Sequence, residues 1–185
     1  MIVLNIIGGP GAGKSTLAAE LFVEMKKRHM NTELVTEYVK DKVWEESFAM
    51  MENQLYLFAK QHHRMWRVSR KCDIVVTDSP LILSLYYGSK CNPPCSDTFR
   101  KLVTEEFNKY DNINIVLKRA NDYNPIGRMQ TEDEAKGVDD ALLEIVKETC
   151  SDYVEFTVDD DGIKDLKDYL KRRGILKGKK QNLPA

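Results

Sequence analysis

A glycine-rich segment at residues 8–16 has the composition of a phosphate-binding loop. It fills every fixed position of the pattern G-x-x-x-x-G-K-S/T. The segment consists of Gly8, Gly9, Pro10, Gly11, Ala12, Gly13, Lys14, Ser15 and Thr16. Its glycines allow backbone N–H groups to point at phosphate oxygens in turns that a Cβ would obstruct. We therefore expect it to bind a nucleoside triphosphate such as ATP, with Lys14 at the β- and γ-phosphates and the Ser15 hydroxyl on Mg²⁺.

Two acidic residues follow apolar segments that are typical of strands. Asp78 comes directly after residues 74–77, where it could bind Mg²⁺ directly or through water. It could also cap a helix that begins near Pro80, and the two roles are compatible. Glu37 follows residues 32–36 and could accept a proton from a substrate hydroxyl during phosphoryl transfer. The alternative for Glu37 is a surface carboxylate in the first turn of a helix.

Residues 119–131 have little apolar periodicity and contain Asn, Asp, Pro and Gly, which is typical of a lid loop. Arg119 and Arg128 bracket this segment. A guanidinium on a closing lid can neutralise the negative charge that spreads over a transferring phosphoryl group. Gly127 favours Arg128 for that role, because it gives the loop freedom to present the neighbouring side chain. Solvated loop charge is the alternative for either arginine.

The helix predicted at residues 50–70 offers side chains for an acceptor molecule. Gln61 and Arg64 could hydrogen-bond a base edge or a phosphate. Trp44, just before this helix, could stack on a base. For most of the helix the alternative is amphipathic packing, because its apolar residues recur at helical spacing. We expect Gln61 and Arg64 to be exceptions to that packing.

The elements that must position these residues alternate along the chain between strand and helix. Strands are predicted at residues 2–7, 32–36, 73–77, 114–117 and 153–156. Helices are predicted at residues 17–28, 39–46, 50–70, 81–87, 97–109, 132–150 and 161–173. This alternation predicts an α/β fold, a five-stranded parallel sheet with helices on both faces and a small lid loop. Ligands on such sheets bind at the carboxyl ends of the strands, where Gly8, Glu37 and Asp78 fall.

The chain has 185 residues, of which 42% are hydrophobic, and a net charge of −1. These values predict one folded domain at residues 1–176, followed by a basic, disordered tail at residues 177–185. The net charge provides no global basic field for nucleic acid, although a local basic patch stays open. The apolar segment at residues 2–7 is too short to span a bilayer, so we expect a cytoplasmic location and no membrane contact.

The four cysteines, Cys72, Cys91, Cys95 and Cys150, do not predict a disulfide framework in a chain of this size. Cys91 and Cys95 form a loose pair, but no second pair lies at the spacing that a zinc site requires. Free thiols in a reducing cytoplasm are the favoured interpretation.

Several segments resemble the P-loop kinases of nucleosides and nucleotides. Residues 36–44 read Thr-Glu-Tyr-Val-Lys-Asp-Lys-Val-Trp and are similar to the Glu-Pro-Val-x-x-Trp segment of deoxynucleoside kinases, whose Glu is the catalytic base. The resemblance implies that Glu37 is the base, and it places Tyr38 and Trp44 at the acceptor site. Tyr38 replaces the Pro that follows the base in those kinases.

Two further segments extend the resemblance. Residues 54–65 resemble the helix that supplies a base-reading Gln, which is matched by Gln61. Residues 128–132 are similar to the lid arginine segment, matched by Arg128. At residues 78–80, however, the chain has Asp-Ser-Pro where the kinases have Glu-Arg-Ser. The arginine that organises the 5′-hydroxyl and the phosphates is therefore absent from its usual place.

Residues 37–38 and 77–80 resemble more closely the small phage kinases that are grouped with the ribosylnicotinamide-kinase-like P-loop proteins. That group includes kinases of 5-hydroxymethyluracil in phage DNA. The resemblance implies a Mg²⁺- and ATP-dependent kinase that acts on a hydroxyl or phosphate of a nucleoside or nucleotide, or on a hydroxymethyl group of a base in DNA. A P-loop ATPase and a nucleotide-binding regulator without turnover are the alternatives from other classes. Both ATP and GTP as donor, and both monomer and homodimer, stay open.

Overall fold

The computed structural model describes residues 1–119 and 132–176. Its centre is a sheet of five parallel strands in the order β2-β3-β1-β4-β5. The strands are β1 (Ile2–Ile7), β2 (Thr32–Val35), β3 (Ile74–Thr77), β4 (Asp111–Lys118) and β5 (Val154–Thr157). The helices are α1 (Lys14–Lys27), α2 (Tyr38–Trp44), α3 (Gln54–Trp66), α4 (Leu83–Ser89), α5 (Asp97–Phe107), α6 (Glu132–Thr149) and α7 (Asp160–Arg172). The predicted α/β fold with a five-stranded parallel sheet is confirmed.

Apolar side chains cover both faces of the sheet. On one face, Leu4 of β1 belongs to a buried cluster with Leu21 of α1 and Leu166 of α7. On the other face, Ile7 of β1 belongs to a second cluster that includes Val138 of α6 and residues of α4 and α5. A strand buried on both faces reads as a continuous apolar run, which is why β1 is recognisable in the sequence.

The strand order determines what surrounds the phosphate loop. β1 pairs with β3 on one side and with β4 on the other. Asp78 directly follows β3, and Arg119 directly follows β4. Since all these strands are parallel, Asp78 and Arg119 lie at the same sheet edge as the loop, one on each side of it.

Several helix boundaries differ from the prediction, and two of the differences have a visible local cause. The helix predicted at residues 50–70 is a 3₁₀ helix, Phe48–Glu52, followed by the shorter α3. The two are separated at Asn53, whose side chain accepts a hydrogen bond from Tyr56 N at 3.0 Å and so caps α3. The helix predicted at residues 81–87 begins two residues later, because Pro80 starts a tight turn in which Leu83 N donates to Pro80 O at 3.0 Å.

Strand β4 is longer than the predicted 114–117, and buried asparagines explain why. Asn5 Nδ2 of β1 donates to Asn112 Oδ1 at 2.9 Å and to Asn114 Oδ1 at 3.0 Å. Asn residues are depleted in strands, and the pattern predicted a strand only from residue 114. Their side chains instead hydrogen-bond across the sheet, and the strand begins at Asp111.

The predicted lid segment beyond Arg119 and the predicted tail at residues 177–185 lie outside the described residues. The four cysteines are free thiols in this structure. In the described part of the chain, no group of three or more His, Cys, Asp or Glu side chains has the arrangement of a metal site. None of the helices within residues 1–119 and 132–176 has the length and apolar character needed to cross a membrane.

Candidate active site

The phosphate loop connects β1 to α1 by a turn that requires glycine. Gly11 and Gly13 have φ angles of 83° and 85°, a left-handed conformation that side chains with a Cβ rarely adopt. Gly13 is also the N-cap of α1 and has no side chain to occupy the amides of the first helical turn. Those N–H groups, together with the positive end of the helix dipole, would favour an anion bound at Lys14, Ser15 and Thr16.

Lys14 folds back over its own loop. Its Nζ donates to the carbonyl oxygen of Gly9 at 2.8 Å. Burial lowers the pKa of Lys14, while the negative charges of Glu37, Asp78 and Asp139 act in the opposite direction. The ammonium group therefore lies within electrostatic reach of three carboxylates, each from a different element. The predicted phosphate-binding residue and both predicted acidic residues are brought together.

Ser15 and Asp78 form a direct pair beside this lysine. Ser15 Oγ donates to Asp78 Oδ2 at 2.6 Å, and Asp78 is 3% exposed. The second carboxylate oxygen, Oδ1, accepts from Glu37 N at 3.1 Å. Hydroxyl and carboxylate oxygens suit Mg²⁺, which is usually held by one or two protein ligands together with water and phosphate oxygens. The two predicted metal ligands thus have suitable chemistry and lie next to each other.

Glu37 occupies the N-cap position of α2, with an extended backbone and no side-chain cap hydrogen bond. Burial raises the pKa of the Glu37 carboxyl, the charge of Lys14 lowers it and that of Asp78 raises it. Glu37 is therefore a carboxylate held close to a lysine and to a candidate metal-binding pair in a partly desolvated setting. This environment moves the pKa of a carboxyl toward the range of a general base.

Gln61 and Arg64 lie against the backbone on either side of Glu37. Gln61 Oε1 accepts from Tyr38 N at 2.9 Å, and Gln61 Nε2 donates to Thr36 O at 3.3 Å. Arg64 Nη1 donates to the carbonyl oxygens of Thr36 and Glu37, each at 3.2 Å. Both side chains of α3 thereby hold the turn that carries Glu37. Their predicted contact with an acceptor stays a prediction.

Tyr38 and Trp44, the two aromatic residues predicted at the acceptor site, lie at opposite ends of α2. The Tyr38 hydroxyl is 2.8 Å from that of Tyr56, and the Arg64 guanidinium lies 5.1 Å from the centre of the Tyr38 ring. Trp44 is 78% exposed, at the end of α2 that is remote from Glu37. The structure therefore brings Tyr38, but not Trp44, together with the other predicted residues.

On the other side of the loop, Arg119 is held against the loop backbone. Its Nη2 donates to Pro10 O at 2.7 Å, and its Nε donates to Asp139 Oδ2 at 2.5 Å. Asp139 Oδ1 in turn accepts from Gly9 N at 2.5 Å. Arg128, the favoured lid residue, lies outside the described residues.

Two residues of this site are not evident from the sequence. Asp139 occupies α6, where an acidic residue is ordinary, and no local pattern distinguishes it from its acidic neighbour Asp140. Tyr87, in α4, has a sequence context that fits the wall of the site and the core equally well. Burial raises the pKa of the Tyr87 hydroxyl, and the charges of Glu37 and Asp139 act in the same direction. Its hydroxyl is therefore in electrostatic reach of both carboxylates.

With this geometry in place, comparison with known proteins identifies the family. A family model described as an AAA domain matches residues 3–160. The chain belongs to this AAA domain family. The match includes the phosphate loop, Glu37, Asp78 and Asp139. No curated protein is detectably similar to this AAA-domain chain in sequence.

Solved structures show which fold the AAA-domain chain shares. The NadR protein in complex with NR matches with a TM-score of 0.66 at 16% identity, over 98% of this chain and 54% of that one. The thymidylate kinase from Ehrlichia chaffeensis matches with a TM-score of 0.60 at 15% identity, over 95% and 98% of the two chains. The deoxyadenosine kinase from M. mycoides with products dCMP and dCDP matches with a TM-score of 0.53 at 16% identity, over 92% and 99%.

At these identities the likeness concerns the fold. The AAA-domain chain has the P-loop fold that is found in nucleoside and nucleotide kinases, as the resemblance in its sequence implied. It spans about half the length of the NadR chain that it matches. The narrower resemblance to the small phage kinases stays a prediction.

Proposed function

We propose that this protein is a Mg²⁺- and ATP-dependent kinase that transfers the γ-phosphate to a nucleoside- or nucleotide-type acceptor. The observation that carries the proposal is the hydrogen bond from Glu37 N to Asp78 Oδ1 at 3.1 Å. It joins the backbone of the candidate base to a candidate metal ligand, and the charges of both carboxylates act on Lys14. A site that only bound ATP would have no need of a second carboxylate held in this position.

The roles follow from the chemistry of each side chain. Ser15 and Asp78 would hold Mg²⁺, which neutralises charge on the phosphate oxygens when it is bound. Lys14 would exchange its bond to Gly9 O for the β- and γ-phosphate oxygens. A carboxylate oxygen of Glu37 would take the proton of the acceptor hydroxyl. The hydroxyl oxygen would bond to the γ-phosphorus while the bond between the γ-phosphorus and the ADP oxygen breaks. Arg119 and Arg128 would neutralise charge on the transferring group.

A nucleoside-type acceptor is supported by the ligands of proteins with the same fold. The NadR structure contains NR, and the deoxyadenosine kinase structure contains dCMP and dCDP. The Tyr38 and Tyr56 rings beside Glu37 offer aromatic surface of the kind that contacts a base or a pyridine ring. Reaction in a cytoplasm is part of the same proposal.

The test is transfer of label from ATP labelled at its γ-phosphate. Nucleosides, nucleoside monophosphates, nicotinamide riboside and DNA with or without 5-hydroxymethylated pyrimidines are offered separately. A Lys14→Met variant serves as the inactive control. We expect label on one small-molecule acceptor, dependent on Mg²⁺. Steady ATP hydrolysis with no labelled acceptor would instead favour the ATPase alternative, and binding without hydrolysis would favour the regulator.

A second candidate acceptor is a hydroxymethyl group on a base in DNA. It is favoured by the outer face of α3 and the turn after it, where Trp66 is 57% exposed and stacks on His63 with ring centres 5.8 Å apart. Arg67 and Arg70 are exposed next to it. Basic side chains interleaved with aromatic ones are typical of surfaces that bind single-stranded nucleic acid. Label on modified DNA alone, with a rate that falls steeply as salt increases, would establish this acceptor over the small-molecule ones.

A further inference from the structure

The side chain of Asp139 connects three parts of the molecule. Its Oδ1 accepts from Gly9 N in the phosphate loop, and its Oδ2 accepts from Arg119 Nε at the end of β4, both at 2.5 Å. Asp139 itself lies on α6, which begins directly after the predicted lid segment. Its bond to Gly9 joins residues that are 130 positions apart in the sequence.

The first turn of the loop has little room to depart from this arrangement. A Cβ built on Gly9 would lie 2.8 Å from both Asp139 Oδ1 and the Ala135 carbonyl oxygen, and 3.2 Å from Arg119 Nη2. Arg119 Nη2 also donates to Pro10 O at 2.7 Å and to Ala135 O at 3.3 Å. Loop, arginine and helix are thus packed in direct contact around a single carboxylate.

Asp139 also affects the orientation of the charged groups around the loop. The positive charge of Arg119 acts on Lys14, so both cations share one electrostatic environment. Asp139 binds the guanidinium through Nε and thereby fixes the direction in which its terminal nitrogens point. A planar guanidinium held in this way is oriented before any phosphate arrives.

We propose that Asp139 is a positioning residue with two separable functions in the kinase reaction. Through Gly9 N it holds the first turn of the phosphate loop in the form that binds triphosphate. Through Arg119 Nε it orients the arginine that faces the transferring phosphate. The second function rests on the proposed kinase activity, whereas the first requires only that the loop binds ATP.

Two substitutions separate these functions. In Asp139→Asn the side chain keeps an oxygen that can accept from Gly9 N but loses the charge that binds Arg119. In Asp139→Ala both contacts are lost. We expect the Kd for ATP to change by less than about threefold in Asp139→Asn and to rise about tenfold in Asp139→Ala, the factor typical of losing a hydrogen bond to a charged group. Asp140→Asn, on the exposed neighbour, is the matched control and should change neither value.

The contribution of Arg119 is read from turnover. We expect kcat to fall about tenfold in Asp139→Asn, and we expect the same substitution to have no further effect in an Arg119→Gln background. Thermal midpoints measured for every variant identify any that is simply unfolded. Because Asp139→Asn retains the side-chain volume, it keeps the test valid if Asp139→Ala does not fold.

The results can overturn each part separately. The affinity measurement uses ATP alone, so it stays informative even if no acceptor is ever phosphorylated. Equal ATP affinities for Asp139→Ala and Asp140→Asn would overturn the loop-holding function. If kcat of the double variant falls by the product of the two single-variant effects, Asp139 does not act through Arg119. That result would overturn the orienting function. A fall in thermal midpoint without any change in Kd or kcat would reduce Asp139 to a structural residue.

Discussion

The residues on the two sides of the phosphate loop are held in place by different sets of contacts. On the β2–β3 side, the turn that carries Glu37 is bound through its backbone, by Gln61 and Arg64 of α3 and by Asp78. On the β4–α6 side, Arg119 is bound by the ion pair with Asp139, whose side chains are 14% and 21% exposed. Arg119 also donates to the carbonyl oxygens of Pro10 and Ala135, so this side combines backbone hydrogen bonds with a charged pair near the surface.

This difference suggests a division of labour. Hydrogen bonds to backbone carbonyl and amide groups fix a turn in one geometry, which suits a base that must meet an acceptor hydroxyl accurately. A partly exposed ion pair is weakened by salt, so the orientation of Arg119 depends on ionic strength. We therefore expect both sides to be formed before substrate binds, and the Arg119 side to be the more sensitive to salt.

The largest effect on transfer should come from substitution of the candidate base, Glu37. Glu37→Gln removes the proton acceptor while it keeps the shape of the side chain, so we expect transfer to fall by roughly 10²–10⁴-fold with ATP affinity nearly unchanged. Glu33→Gln, on the preceding strand β2, is the control. Turnover of Glu37→Gln equal to that of the unmodified protein would show that Glu37 is not the proton acceptor.

The next effect tests whether the turn around Glu37 is fixed by α3. Gln61→Leu keeps the side-chain size but leaves Tyr38 N without its acceptor, so we expect the turn to shift and transfer to fall by up to about 10²-fold. The Kd for ATP should be unaffected, because the phosphate loop is not touched. Ala59→Ser, on the exposed face of the same helix, is the control. A loss of ATP affinity in Gln61→Leu would contradict the separation of the two sides.

A smaller effect concerns pH. Burial raises the pKa of Glu37 above its ordinary value of 4.5, and a protonated Glu37 accepts no proton. Turnover should therefore decline as the pH falls through this raised pKa, and the decline should begin at a higher pH than for an exposed glutamate. The residual activity of Glu37→Gln should not show this decline at low pH. A wild-type profile that stays level down to the pKa of an ordinary carboxyl would show that Glu37 is not desolvated.

The same shift affects stability with a defined sign. Since the folded state holds the proton of Glu37 more tightly than the unfolded state, its contribution to stability is complete below the unfolded pKa. That contribution is lost as the pH rises through the folded pKa. The free energy of unfolding of Glu37→Gln should not show this loss, and denaturant titrations at several pH values would measure the difference.

The smallest effect lies on the α6 side. Gly137 is an exposed helical residue, and a methyl group added to its Cα would meet open space, because no atom lies within 4 Å of that position. Gly137→Ala should therefore increase the free energy of unfolding by about 0.4–1 kcal/mol, through the lower entropy of the unfolded chain. Chemical denaturation measures it. Unchanged turnover would mean that a more stable α6 does not disturb the orientation of Arg119.

Local patterns were sufficient to predict one part of the site. The phosphate loop is a contiguous motif, and Glu37 and Asp78 each follow a short apolar run. Because parallel strands end at one edge of the sheet, the sequence alone predicted that these residues lie close together. The positions of Gln61 and Arg64 were predicted to matter, but spacing does not fix the direction of a side chain. Their contact with the Glu37 backbone therefore appeared only in three dimensions.

Asp139 could not have been predicted in the same way. Its partner Gly9 is 130 positions distant, and the bond depends on how α6 packs against the end of β1. The asparagines of β4 were misleading for a related reason. Asn112 has low strand propensity and lies before the predicted strand, but its side chain accepts a hydrogen bond from the amide of Asn5 on the neighbouring strand. Both cases depend on long-range pairing that a single sequence does not display.

Those three asparagines also protect the alignment of the sheet. Asn5 is paired with Asn114 in the β1–β4 register, and its amide reaches Asn112 as well. A slip of one residue would turn these amides toward the opposite, apolar face and leave buried polar groups without partners. Such an error would also displace Arg119 from Pro10 by one strand residue. The side chains between these two strands thus help to align the sheet edge that carries the candidate active site.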